Sequence, residues 1–283
     1  TGISEVLPFS PVDIHDVQFN PDSPSGISPI EGEEVHISGS DLVVTNVTFS
    51  GFFITDTSET EGFGHIFLFN FNYPEGVTIG DSVTLFSGGV SEFQQSTQLT
   101  HPSWEIDTDG GLSQEIRAAL ASCSTLEGQG DDVPLPTPVE GPQLLDYEFL
   151  ETLESGLVQI DDVEISNRFM DCDFDDSGDV SGTDEEICRD ECQVSNLCTE
   201  LSGFEERDQF SADVNGYPVW ISNGAQVSNF DAFEGCVLTE ESPPTYDCPK
   251  RLLKSATGNL RHVYLTSQIQ IWELLPRYSC DLI

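Results

Sequence analysis

Leu42-Val43-Val44-Thr45-Asn46-Val47-Thr48-Phe49, followed after Ser50 by Gly51-Phe52-Phe53-Ile54-Thr55-Asp56, is the stretch that decides the fold. The first run is rich in β-branched residues and the second adds aromatics. Such side chains fit a pleated, half-buried surface, so both runs read as strands. Upstream, Glu34-Val35-His36-Ile37-Ser38-Gly39 alternates. Downstream, Gly64-His65-Ile66-Phe67-Leu68-Phe69-Asn70 predicts another strand, ending before Pro74. Gly80 to Gly88 predicts a fifth, continuing through Val90-Ser91-Glu92-Phe93. Short strands broken by Gly and Asn at regular spacing point to a small all-β barrel or sandwich. Ser113 to Ala121 reads as a short helix. Residues 1–13 form a leader, either a tail or an edge strand, and Pro21, Pro24, Gly26 and Pro29 make the next stretch turn-rich.

The order of short motifs carries a resemblance. Ile14-His15-Asp16-Val17-Gln18, Gly32-Glu33-Glu34-Val35, Val43-Val44-Thr45, Gly51 to Asp56, His65 to Phe69, Gly80-Asp81-Ser82-Val83 and Glu92-Phe93 with Thr97-Gln98-Leu99 succeed one another. Over residues 14–100 this resembles an OB-fold family that precedes the catalytic domain in many secreted bacterial nucleases. The resemblance implies a five-stranded Greek-key barrel in a domain spanning 14–123. It carries no catalytic residue, because the chemistry of those proteins resides in a separate downstream domain.

Residues 124–143 are rich in Pro, Gly and acids, with Pro134, Pro136, Pro138 and Pro142, and read as a stiff extended linker. Beyond it, Leu144 to Leu153 predicts a short helix and Gly156 to Ile165 a strand. The segment Glu154-Ser155-Gly156-Leu157-Val158-Gln159-Ile160-Asp161-Asp162-Val163 resembles the region after the linker in those nucleases, a second OB-like domain, which would span 144–283 in this chain. Its later strands are expected at Tyr217 to Ser222, Leu252 to Leu265 and Ile269 to Leu274. Residues 171–210 interrupt the pattern as a disulfide-rich insertion. The expected fold class is therefore mainly β, two OB-like barrels, the second decorated.

Charge and cysteine bound the setting. There are 51 Asp plus Glu against 9 Lys plus Arg, a net charge of −42, so phosphate backbones and anionic membranes are repelled. Divalent cations, high salt or a basic partner are favoured instead. The 8 Cys include no CxxC pair, and with 5 His a zinc site is not expected from spacing. Disulfides in an oxidising compartment are the better reading. The chain opens in a polar segment and carries no apolar run that would span a membrane. It reads as an exported, mature chain, extracellular or at the cell surface, of bacterial type.

Asp173 to Asp184 holds the clearest chemistry. Asp173, Asp175, Ser177, Ser181 and Asp184 fall at positions one, three, five, nine and twelve of a loop, Gly178 at six, and Asp179 at seven offers its carbonyl. This is EF-hand spacing, so Ca2+ is the expected ion, held by Asp173, Asp175, Ser177, Asp179, Ser181 and Asp184. Thr183 to Glu186 matches a capping box for a helix running to about Val194, but a strand-like segment precedes the loop. With one helix there is nothing to swing, so the site reads as a structural staple and not a sensor. Asp107-Thr108-Asp109-Gly110-Gly111 reads as a plain turn.

The usual catalytic signatures are missing: there is no Gly-x-Ser-x-Gly, HExxH, P-loop or GxGxxG. No nuclease domain fits after residue 144. A non-catalytic structural or adhesive protein is expected, self-assembling through its leader into a filament or surface layer. The runner-up is an accessory binding module for polysaccharide or nucleic acid, the latter disfavoured, since single-strand binding needs a basic groove and Arg117 is the only basic residue before 150.

Overall fold

The computed structural model describes residues 12–22, 26–107, 110–121, 135–173, 177, 182–188, 198–223, 230–239, 245–264 and 270–283. The protein is mainly β. The first unit is a closed barrel of β1 (Glu34–Thr48), β2 (Gly51–Asp56), β3 (His65–Phe69), β4 (Ser82–Phe93) and β5 (Ser96–Asp107), in the order β1-β2-β3-β5-β4. All neighbours run antiparallel except β3 and β5, which are parallel. Closure depends on β1. Its first half pairs with β4 and its second with β2, and register shifts at Ser38/Leu42 and Val44/Asn46 bend it between the two.

Period-two alternation builds the interior. Val35, Ile37, Leu42, Val44, Phe52, Ile54, Ile66, Leu68, Val83, Phe86 and Leu99 all point into one core. A large side chain there contributes about 1.5–3 kcal/mol by leaving water. Helix α1 (Ile14–Gln18) closes one end with Ile14 and Val17, set by a capping box between Asp13 and Asp16. Helix α2 (Gln114–Ala121) is tied on by Arg117, which donates to Asp81 Oδ1 at 2.6 Å and to the Leu112 carbonyl at 2.7 Å. The expected strands at 34–39 and 42–49 are one bent strand. Strand β5 is far longer than the Thr97-Gln98-Leu99 motif suggested.

The linker reading for 124–143 is corrected where the structure describes it. From residue 135 the chain lies on the second unit: β6 (Thr137–Pro138) pairs parallel with β7 (Leu157–Ile165), and Val139 is buried in the core beneath. Proline is tolerated there because β6 is an edge strand. The predicted helix over 144–153 is split, a 3-10 turn at Gly141–Leu145 and α3 at Tyr147–Thr152, with the Asp146 side chain capping α3.

The second unit is a six-stranded sheet, β10 (Gln209–Val214), β11 (Tyr217–Ser222), β15 (Gln270–Leu275), β14 (Arg251–Tyr264), β7 and β6. A short bridge, Ala212 with Ile165 and Asp213 with Glu164, also joins β10 to β7. The cycle β7-β10-β11-β15-β14 therefore repeats the partner order and directions of the first barrel, including its one parallel pair, β11 with β15. A small sheet of β8 (Arg168–Met170), β9 (Thr199–Glu200), β12 (Val237–Leu238) and β13 (Thr245–Asp247) lies beside it, with α4 (Thr183–Cys188) and α5 (Leu201–Arg207) in the insertion. Disulfides join Cys172 to Cys188 and Cys236 to Cys248. Among the described residues, no helix is long and apolar enough to cross a membrane.

Candidate functional site

The two units meet over the outer face of the first barrel. Polar residues that a free barrel would leave in water, Thr45, Asn46, Thr55 and Gln98 on the outer face and Thr97 at the end of the barrel, are all buried. Asn46 Nδ2 donates to the Leu275 carbonyl at 3.1 Å. Asn259, fully buried on β14, donates through Nδ2 to Thr45 Oγ1 at 3.0 Å and to the Ser155 carbonyl at 2.9 Å. Phe63 N–H donates to the Thr152 carbonyl at 2.8 Å. Phe53, on the same outer face, has no exposed surface. Buried polar groups must find partners, so these bonds fix one docking geometry where an apolar contact would allow several.

At one end of this interface three titratable side chains converge. Glu151 closes α3, Glu154 lies in the turn after it, and His262 comes from β14; their ligating atoms all lie within 4.8 Å of one another and all three residues are buried. The first barrel reaches in from its β4–β5 hairpin. Thr97 N–H donates to Glu154 Oε1 at 2.8 Å, and Tyr147 Oη donates to Gln95 Oε1 at 3.0 Å while lying 3.0 Å from His262 Nδ1. Glu92 stands behind, accepting from Ser28 N–H and the Thr97 hydroxyl on Oε1. The His262 ring stacks on Trp272, 4.1 Å between centroids.

Burial dominates the electrostatics. It raises Glu151 to about 7, partly opposed by the Tyr147 hydroxyl. It raises Glu154 well above the usual carboxylate range, reinforced by the charge of Glu151. Glu92 is raised for the same reason. His262 is lowered to about 4, with a hydrogen bond to the Gln95 backbone pulling the other way. Glu151 Oε1 and His262 Nδ1 are 3.7 Å apart, close enough for an ion pair. At this depth burial pushes both the acid and the imidazole toward their neutral forms and opposes charging of the pair.

A second histidine marks the same interface. His65, on the outward side of β3, has its ring beside Gly156 of the second unit and its Nδ1 2.9 Å from the Thr55 hydroxyl. Burial lowers it to about 4 from 6.5, against the charge of Asp56. The unfolded chain therefore takes a proton near 6.5 that the folded one refuses until about 4, and stability falls as the pH falls between those values. His65 is half-buried, which trims the effect. The stability advantage of the natural chain over His65→Gln should shrink by roughly 1–2 kcal/mol between pH 7 and pH 5 in urea titrations. Parallel pH profiles for the two proteins would refute this.

The sequence-predicted calcium loop is described only in part. Asp173, Ser177 and Asp184 fall among the described residues; Asp175, Asp179 and Ser181 lie outside them, as does most of the 1–13 leader. Ser177 gives its N–H to Asp173 Oδ1 at 2.8 Å, and Asp184 is buried. The Cys172–Cys188 disulfide encloses the whole loop. Thr183 is the first helical residue of α4, not its cap: the Gly182 carbonyl accepts the Glu186 N–H, so a glycine without a capping side chain stands at the cap that the expected Thr-x-x-Glu box gives to Thr183. Glu151, Glu154 and His262 had no signal in the sequence. A Glu-x-x-Glu pair is commonplace among 51 acids, and His262 joins it only through the fold.

No family model matches the chain, and no curated protein matches it.

Proposed function

We propose that this is a non-catalytic secreted protein, structural or adhesive, built of two OB-type barrels, stapled by disulfides and by Ca2+ at Asp173–Asp184, and assembling with its own copies into a filament or surface layer. One observation carries the reading. OB barrels bind oligonucleotides and oligosaccharides on the face of their second and third strands. Here much of that face is spent on an internal contact, with Phe53, Thr55 and Phe67 buried and His65 against Gly156. A barrel that covers its ligand face serves better as a rigid building block. The short outer strand β12 supports assembly. Among the described residues it is paired on one side, to β13, and Val237 and Leu238 are exposed, so a neighbour's leader could add to this edge.

The test is sedimentation and electron microscopy of the full chain, with Ca2+ and with chelator, beside a chain lacking residues 1–13. Ordered polymers that vanish without Ca2+ or without the leader support the reading. A monomer at high concentration in every condition overturns it. Chelation should also lower thermal stability by about 1–3 kcal/mol, or several degrees, for Ca2+ at ten- to a hundredfold over an extracellular-type Kd. Superimposable melting curves would remove Ca2+ from the proposal.

A second reading, polysaccharide binding, has its own observation. Phe67, Phe69, Phe71 and His101 form a chain of ring contacts that runs from the covered face out to solvent. Phe71 is 54% exposed, and Phe71 and His101 both hold positive φ, 62° and 52°. Rings fixed by strained backbone are preorganised for stacking on a sugar. Glycan retention lost in Phe71→Ala would favour this reading. Nucleic acid stays disfavoured by the charge of −42.

A further inference from the structure

We propose that Glu151, Glu154 and His262 bind one divalent first-row transition ion, with Zn2+ as the type, at the junction of the two units. Their ligating atoms already lie within 4.8 Å of one another, on three separate positions of the second unit. The donor set is two carboxylates and one imidazole. An imidazole nitrogen is a poor ligand for calcium, which takes oxygens, and a good one for Zn2+ and its neighbours. This separates the cluster from Asp173–Asp184, whose ligands are all oxygen.

A second observation points to a ligand. Glu154 is 2% exposed, and its Oε2 has no hydrogen-bond partner. The Ser96 hydroxyl is close to the carboxyl, but no donor is properly directed at Oε2. A buried carboxylate oxygen without a partner is costly and calls for an ion, a proton or a water. The surrounding shell is that of a metal site. Thr97 N–H holds the other oxygen of Glu154. His262 is held by the Gln95 backbone and by Trp272 stacked on its ring. A ring N–H given to a carbonyl leaves the other nitrogen as a lone-pair donor, the usual way a ligating histidine is oriented. Glu92 adds a third acid whose charge is felt by Glu151 and Glu154. The nearby Arg261 does not neutralise them, being bonded to Glu273 at 2.8 Å. With Gln95 and Thr97 coming from the first barrel, a bound ion would clamp its β4–β5 hairpin to the second unit.

The experiment strips the full chain with chelator and titrates it with Co2+ in excess Ca2+, which keeps oxygen-only sites filled. One equivalent of a visible ligand-field band, bleached by Zn2+ and accompanied by proton release, is expected, because the acids must ionise to bind. Glu154→Gln and His262→Gln should each weaken binding at least roughly 100-fold, and Tyr147→Phe, which perturbs only the surrounding shell, about tenfold. Tyr147→Phe also decides the matter if the ligand variants fail to fold. Co2+ should quench Trp272 fluorescence, read against Trp272→Phe. Absence of the band overturns the proposal. So does a band unchanged in Tyr147→Phe and in any folded ligand variant, or one lost in His15→Gln, which would place the ion in the exposed Asp13, His15, Asp16 group.

Discussion

Gly51→Ala is expected to destabilise the protein by about 3 kcal/mol, the upper end of what overpacking costs. Gly51 opens β2 opposite Phe69 of β3. A Cβ added there would stand 2.1 Å from the Leu68 carbonyl oxygen and 2.8 Å from the Phe67 ring. The first obstacle is backbone, so no rotamer change relieves it. The β2–β3 ladder must open, and Phe67 and Leu68 lie on opposite sides of it, the outer face and the core. Gly89→Ala is the control: its nearest atom, Thr100 Oγ1, is 3.5 Å away, an ordinary contact. Denaturant unfolding should separate the two variants clearly. Equal midpoints for both would mean that the close approach at Gly51 does not limit the barrel.

Removing the Cys172–Cys188 bridge, as the double variant Cys172→Ser, Cys188→Ser, should cost about 3 kcal/mol, the chain-entropy value for a loop of this size. The bridge spans 16 residues and contains all of Asp173–Asp184. Both sulfurs are buried with Met170 and Cys198 in a small satellite core, so serine also leaves two polar groups there. On the proposal that Asp173–Asp184 holds Ca2+, the effect should be largest in Ca2+, because the unbridged chain would have to order the loop before binding. Limited proteolysis should cut first inside 173–187, and added Ca2+ should protect the natural chain more than the variant. A variant as stable and as Ca2+-responsive as its parent would show that the loop is held by something other than the bridge.

The strands most readable in the sequence were short runs dense in β-branched and aromatic residues. Gly51–Asp56 and Tyr217–Ser222 have the expected bounds, and both are buried on the two faces over most of their length. Strand β5 was legible only at Thr97 to Leu99. His101 and Pro102 look like a break, and the chain there crosses a register shift opposite Ser87 and Gly89 that only the barrel explains. The linker misled for a related reason. Proline predicts extended chain correctly, but extended chain can also lie on an edge, as Thr137–Pro138 does along β7.

Local sequence is enough for the β class, the interior of the first barrel, the cysteine-rich insertion and the spacing of the acidic loop. These depend on local period and on residues close in the chain. Which polar residues face water is settled only by the packing of the two units. Thr45, Thr55 and Gln98 alternate with the core positions Val44, Ile54 and Leu99, and period two assigns them to solvent. Docking the second unit buries them instead, while the folding of that unit itself brings Glu151 and Glu154 to His262 across a long stretch of chain. No local pattern encodes that, because a polar side chain on an outer face looks the same whether it meets water or the asparagine of another sheet.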